Sequence, residues 1–221
     1  MMLQNSKIRK KALESLDGNW GNAALMVVIY LASSIVITTL GDALLPTKEV
    51  TSGDIPVTVA PYSPFLNLLL LPMGFALTVM FLDLVRGGKL LAGNLFKYYK
   101  KQNVWAVTIL SGIYIILWMF LLIIPGIIKA YSYSMAPYIV KDNPEIGADA
   151  AIRESMKMMK GYKMKLFLLD LSFIGWAILA LLTLGLGLIL LEPYMYSARA
   201  VFYEELKAER GMVDNKYEEV I

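Results

Sequence analysis

Among the charged residues that interrupt otherwise apolar sequence, chemistry would be done, if anywhere, at Asp83, Lys129, Asp170, Glu192 and Arg199. A bare charge at the middle of a bilayer costs about 2.5 to 3.5 kcal/mol on insertion scales, so each needs a partner or a task. Asp170 and Arg199 lie 16 and 13 residues on either side of Leu186, which puts them at similar depth on antiparallel neighbours. They are expected to face each other, either as a pair that fixes register or as a polar site for an anionic headgroup or a coupling ion. Lys129 and Glu192 lie just beyond two turns; they are expected to reach outward to the interface, the other reading being a pair across the bundle. Asp83, three residues before Arg86, is expected to pair with it locally.

The chain has no histidine and no cysteine among its 221 residues. That removes disulfides, thiol nucleophiles, imidazole and thiolate metal sites and the commonest general base. No phosphate-binding Gly-rich loop is present, and Ser111-Gly112 lacks the context of a nucleophile elbow. An intramembrane aspartyl pair would require Asp83 and Asp170 to share a proton deep in a bundle. The sequence therefore predicts no enzyme, no cofactor, no metal and no nucleic-acid partner.

The elements that would position these residues are membrane spans. Val104 to Ile124 is 21 residues without a charge, about 31 Å as a helix, which matches a hydrocarbon core. Pro125-Gly126 then offers a reversal, and 127–140 would return. Gly21 to Leu45, Phe65 to Val85 and Leu166 to Leu184 read as further spans, with 188–203 returning after a turn at Gly185 and Gly187. The first of these is expected to stay uncleaved, because it is long and lacks a clear small-x-small site. The loop from Pro46 to Pro64 reads as irregular and external.

Lys and Arg sharpen the topology. Eighteen of 21 fall on one side if the spans alternate; Lys48 alone lies in an opposite loop, and Lys129 and Arg199 lie within spans. By the positive-inside rule the basic side is cytoplasmic, with both termini inside.

Between spans lie segments with amphipathic patterning. In the first, Ile8, Ala12 and Leu16 share a face; in the second, Leu95, Phe96 and Tyr99 stand beside Lys97, Lys100 and Lys101. The third is expected to start at Asn143-Pro144-Glu145, with Ile152, Met156 and Met159 on one line and Arg153, Lys157 and Lys160 on another. Together with Lys163 and Lys165 these side chains form a basic, methionine-rich surface suited to anionic lipid or a partner protein. The three segments, each followed by a span and a return, suggest a rough threefold repeat, a feature of many transporters.

Several of these features, namely Pro125-Gly126, Ala136-Pro137, Ala151-Ile152 to Ser155, Gly161, Pro193-Tyr194 to Phe202-Tyr203 and the early Ile8-Arg9 to Gly18-Asn19-Trp20, carry a family likeness. The chain resembles the bacterial membrane family called domain of unknown function 975. More distantly, it is similar to the membrane-anchor domain of some glycerophosphodiester phosphodiesterases, whose catalytic residues lie in a separate domain. The resemblance implies a multi-span protein of the bacterial cytoplasmic membrane and supplies no activity.

The expected fold is all-α, a polytopic transmembrane helical bundle of about six spans in three hairpins, about 5–86, 90–142 and 144–204, with amphipathic interfacial helices between them. One integral membrane domain would cover 1–221, with a polar tail over 205–221. The leading functional expectation is a non-catalytic adaptor, anchor or sensor that holds anionic lipid headgroups, a membrane protein partner or a second copy on its basic face. The alternative is a small transporter or lipid-handling protein with a polar site at Asp170 and Arg199.

Overall fold

A computed structural model describes residues 2–46, 48–52, 55–59 and 63–211. Among them the helices are α1 (Asn5–Leu16), α2 (Trp20–Leu44), α3 (Ser63–Leu66), α4 (Leu71–Val85), α5 (Gln102–Leu121), α6 (Ile123–Tyr133), α7 (Ala136–Asp142), α8 (Ala148–Met158), α9 (Lys163–Leu171), α10 (Ile174–Leu182) and α11 (Leu188–Glu209). Short 3-10 turns cover Asn67–Leu70 and Ala92–Phe96. The fold is a helical bundle.

Four helical stretches are long and apolar enough to cross a membrane: Trp20–Leu44, Asn67–Val85, Gln102–Leu121 and Lys163–Leu182. The two segments expected to return fall short of that standard. Residues 123–142 break at Ser134 and Met135 into α6 and α7, and α11 carries Pro193 and several charges. Large apolar side chains such as Ile35 and Leu40 on α2, Ile116 and Phe120 on α5, and Leu179 and Leu182 on α10 point away from the bundle. So much outward apolar surface is unlike that of a soluble monomer.

The core forms around α4 and α11, which pack on each other. Phe75, Ala76, Val79, Phe81 and Leu82 of α4 and Ala198, Ala200, Val201 and Phe202 of α11 are buried. Small residues on α11 let it approach its neighbours closely. The amphipathic segments close one end of this core. Ile8, Ala12 and Leu16 of α1 are fully buried, and α1 packs on α11, α4 and α9. Ala151, Ile152, Ser155 and Met158 seat α8 against α5, α6 and α7. Both units then end on a glycine in the left-handed region, Gly18 at φ 69° and Gly161 at φ 86°, before the aromatic that opens the next span. The middle unit does not share this form, since its connecting segment is a 3-10 turn.

Four expected boundaries differ. The reversal after α5 occurs at the extended Leu122, whereas Pro125 and Gly126 lie in the first turn of α6, where a proline needs no amide partner. The loop from 46 to 64 contains an antiparallel hairpin of β1 (Lys48–Ser52) and β2 (Ile55–Val59), with Lys48 opposite Val59. Its Thr and Val content suits strands, and this hairpin is the exception to an all-α fold among the described residues. Helix α8 begins at Ala148 after a turn at 144–146, not at Pro144. The expected polar tail is helical to Glu209, because Leu206 is buried on the core; 212–221 lie outside the described residues.

Candidate functional site

Helices α9 and α11 bring Asp170 and Arg199 together. The guanidinium donates from Nε to Oδ1 at 3.1 Å and from Nη2 to Oδ2 at 2.9 Å, a two-bond clamp that holds both planes in register. Tyr131 of α6 donates its hydroxyl to Oδ2 at 3.2 Å, and its ring meets Phe167 edge-on. Three elements are thus tied at one carboxylate. Two turns earlier on α11, Glu192 shares one face with Tyr196 and Arg199, and with Met195 they line a cavity of about 180 Å³. Tyr196 is held by stacking on Phe81. Glu192 has no ion pair among the described residues, and Lys129 is not brought to it. Lys129 lies over the Trp118 ring at 4.8 Å, a cation–π contact within the α5–α6 hairpin.

A second cluster, at the end where the basic residues gather, was missed in the sequence. Asp142 at the end of α7 accepts from Arg86 Nη1 at 2.7 Å and Nη2 at 3.0 Å, from the Tyr203 hydroxyl at 2.9 Å and from Lys207 Nζ at 2.9 Å. Arg86 also reaches Glu204 at 2.6 Å. The expected local pair of Asp83 with Arg86 does not form: Asp83 instead takes Lys141 at 2.7 Å, and Lys141 also donates to the Tyr98 hydroxyl at 3.3 Å. The reason is geometric, since Arg86 caps α4 and turns toward α7 and α11. Burial alone would raise the Asp142 carboxyl, but hydrogen bonds from Arg86, Lys207 and Tyr203 outweigh it and hold the group below the ordinary aspartate value. Burial alone would likewise lower Arg86 and Lys141, yet their carboxylate partners raise both. A signal was present in the sequence: charged residues one turn apart at the ends of two apolar helices, Asp83 with Arg86 and Glu204 with Lys207.

The expected methionine-rich surface is not exposed. Met158 and Met159 are buried and Met156 packs on the core, because α8 turns that face toward α5, α6 and α7; Met164 remains exposed. Arg153 and Lys157 are spent on Asp149 and Glu154 of their own helix. Lys165 donates to the Met2 carbonyl at 3.1 Å, Lys160 is exposed and Lys163 is half-buried. Arg210 closes the end of α8 by donating to the carbonyls of Met158 at 3.0 Å and Lys160 at 2.6 Å.

The turn glycines act by close approach. A Cβ on Gly126 would meet Met119 Cγ at 2.5 Å, and one on Gly187 would meet Ala180 Cα at 2.8 Å, so each lets a return helix press against the preceding one. Gly185 has φ 84° within the turn joining α10 and α11.

Neither the curated proteins nor the solved structures yield a match to this chain. A family model described as a protein of unknown function, DUF975, matches residues 65–210, which include α4 through α11 and both charged clusters. On that match, over about two thirds of its length, the chain belongs to the DUF975 family.

Proposed function

We propose that the chain is a multi-pass integral membrane protein of the bacterial cytoplasmic membrane, with its charged end toward the cytoplasm, acting without catalysis to hold anionic lipid or a partner there. One observation carries the reading. The outward faces of α2, α5 and α10 are apolar, while the ion pairs that tie Lys11 to Glu205, Arg86 to Asp142 and Lys141 to Asp83 lie together at one end. A slab of apolar surface bounded by a charged end suits a bilayer and an inner leaflet. Six passes are supported by connectivity: α5 starts at this end, where Asn103 bonds the Pro144 carbonyl at 2.8 Å, and α6 with α7 returns to it. The non-catalytic part rests on the missing histidines and cysteines.

The absence of native cysteine makes the test direct. Leu184→Cys, in the far turn at 96% exposure, should react with a membrane-impermeant maleimide from outside intact cells. Lys157→Cys at the charged end should react only after permeabilisation. Labelling of both from the same side, or recovery of the chain in the soluble fraction after alkaline washing, would overturn the reading.

A second reading, a small transporter or lipid-handling protein, is favoured by a specific feature: Arg199 and Glu192, which has no ion pair among the described residues, border an open cavity along one face of α11. Its test is a bound small molecule, seen by native mass measurement, that is lost on Glu192→Gln while the fold is retained.

A further inference from the structure

We propose that the lysine-lined cavity where the 92–101 segment meets α5 and α7 binds the phosphate of an anionic phospholipid, whose acyl chains lie along the outward face of α5. This rests on the membrane reading above and assigns a site to it. The cavity, of about 500 Å³, is lined by Lys97, Lys100, Lys101, Lys141 and Gln102, with Glu145 as the one carboxylate in its wall.

Charge is the first argument. Lys141 is matched by Asp83, but Lys97, Lys100 and Lys101 have no ion pair among the described residues. One glutamate leaves the wall strongly positive. The three lysines also lie just before α5, and Lys101 is its N-cap, where an ammonium offers no acceptor to the first amides of the helix. Cations at the positive end of a 20-residue helix repel its dipole, and an anion in the cavity would relieve both.

Continuity is the second. Gln102, which lines the cavity, heads a line of outward residues on α5: Ala106, Ile109, Ile113, Ile116 and Phe120. Steps of four and three keep them on one face, and the four large residues range from 43% to 86% exposed. Trp105 stands at the same level, its ring nitrogen donating to the Tyr99 carbonyl at 2.9 Å, as an interfacial aromatic would. A phosphate pocket opening onto a vertical apolar strip is complementary to a phospholipid, whereas a soluble phosphate would use only the pocket.

The full-length protein is purified in mild detergent, mixed with phosphatidylglycerol or phosphatidylcholine, and its bound lipid counted by native mass spectrometry. Wild type should retain phosphatidylglycerol selectively. Substitution of Lys97→Gln, Lys100→Gln and Lys101→Gln together should lower that retention at least about tenfold, since each surface lysine contributes appreciably to anionic lipid binding. Removing three exposed charges that do not line the cavity, by Lys7→Gln, Lys10→Gln and Lys89→Gln, should change it less than about twofold. Replacing the three cavity lysines with arginine should preserve binding and shows that the substituted region still folds. Equal loss in the two glutamine triples, or no loss in the cavity triple, overturns the site. Displacement of the lipid by excess inorganic phosphate overturns the phospholipid in favour of a soluble anion. A site failure in a protein that still sediments with washed membranes leaves the membrane reading standing; recovery in the soluble fraction overturns both.

Discussion

Asp142 is where the charged end of the molecule is most sensitive to a single atom. Four donors converge on one carboxylate at 14% side-chain exposure, so Asp142→Asn removes the charge while leaving Arg86 and Lys207 partly desolvated. Breaking a partly buried pair in this way is expected to cost roughly 2–3 kcal/mol, read as an earlier thermal transition in detergent. The pH dependence has a definite sign. Asp142 titrates below the ordinary 3.8, so its contribution is fully present above that value and is lost as pH falls through its lower folded value. Wild type should lose stability in that acid range and Asp142→Asn should lose less; equal acid slopes would count against the cluster. Asp170 and Arg199 call for a different comparison. Either Asp170→Asn or Arg199→Gln alone breaks the clamp; with the Arg199 side chain 43% exposed the expected cost is about 1–2 kcal/mol, and the double variant, which leaves neither charge without its partner, should be milder than the sum of the two.

Interrupted helices set the character of the bundle at the scale of elements, and side chains from the closing end serve the interruptions. Between α6 and α7 the Ser155 hydroxyl donates to the Ser132 carbonyl at 2.8 Å and accepts from the Met135 amide at 3.1 Å, so one buried group serves both sides of a break. Between α9 and α10 the Ser172 carbonyl receives Arg9 of α1 at 3.5 Å. Free backbone groups in a dry bundle are costly, and α1 and α8 satisfy them where the helical ladder does not. Ser155→Ala should therefore cost about 1–3 kcal/mol, while Ser155→Thr retains the hydroxyl but adds a methyl at a fully buried position. The expected order of thermal transitions in detergent places Ser155→Ala below wild type; no change would mean that water serves the break.

For the whole molecule, the helices at the centre of the packing are not singled out by hydropathy. Val104 to Ile124 carries no charge, and Gln102–Leu121 matches Asn67–Val85 in mean hydropathy at 2.2, yet α5 lies at the periphery with outward apolar side chains, while α4 and α11 occupy the middle. Hydropathy reports transfer from water, and lipid is as apolar as a protein core, so it does not rank helices by burial. The sequence by itself determined the helical class, the four long apolar stretches, the asymmetry of basic residues, and the spacing that puts Asp170 and Arg199 at one depth, because length, charge and periodicity are local properties of the chain. Only the tertiary structure decided which face of α8 is covered, so that Met158 and Met159 are core and not surface. It likewise decided that Arg86 takes Asp142 and Glu204 over its near neighbour Asp83, that the reversal falls at Leu122, and that three lysines without an ion pair among the described residues gather at the foot of α5. Each of those outcomes depends on which helix packs against which, and ion-pair partners and buried faces between residues 56 and 118 positions apart are fixed by that packing alone.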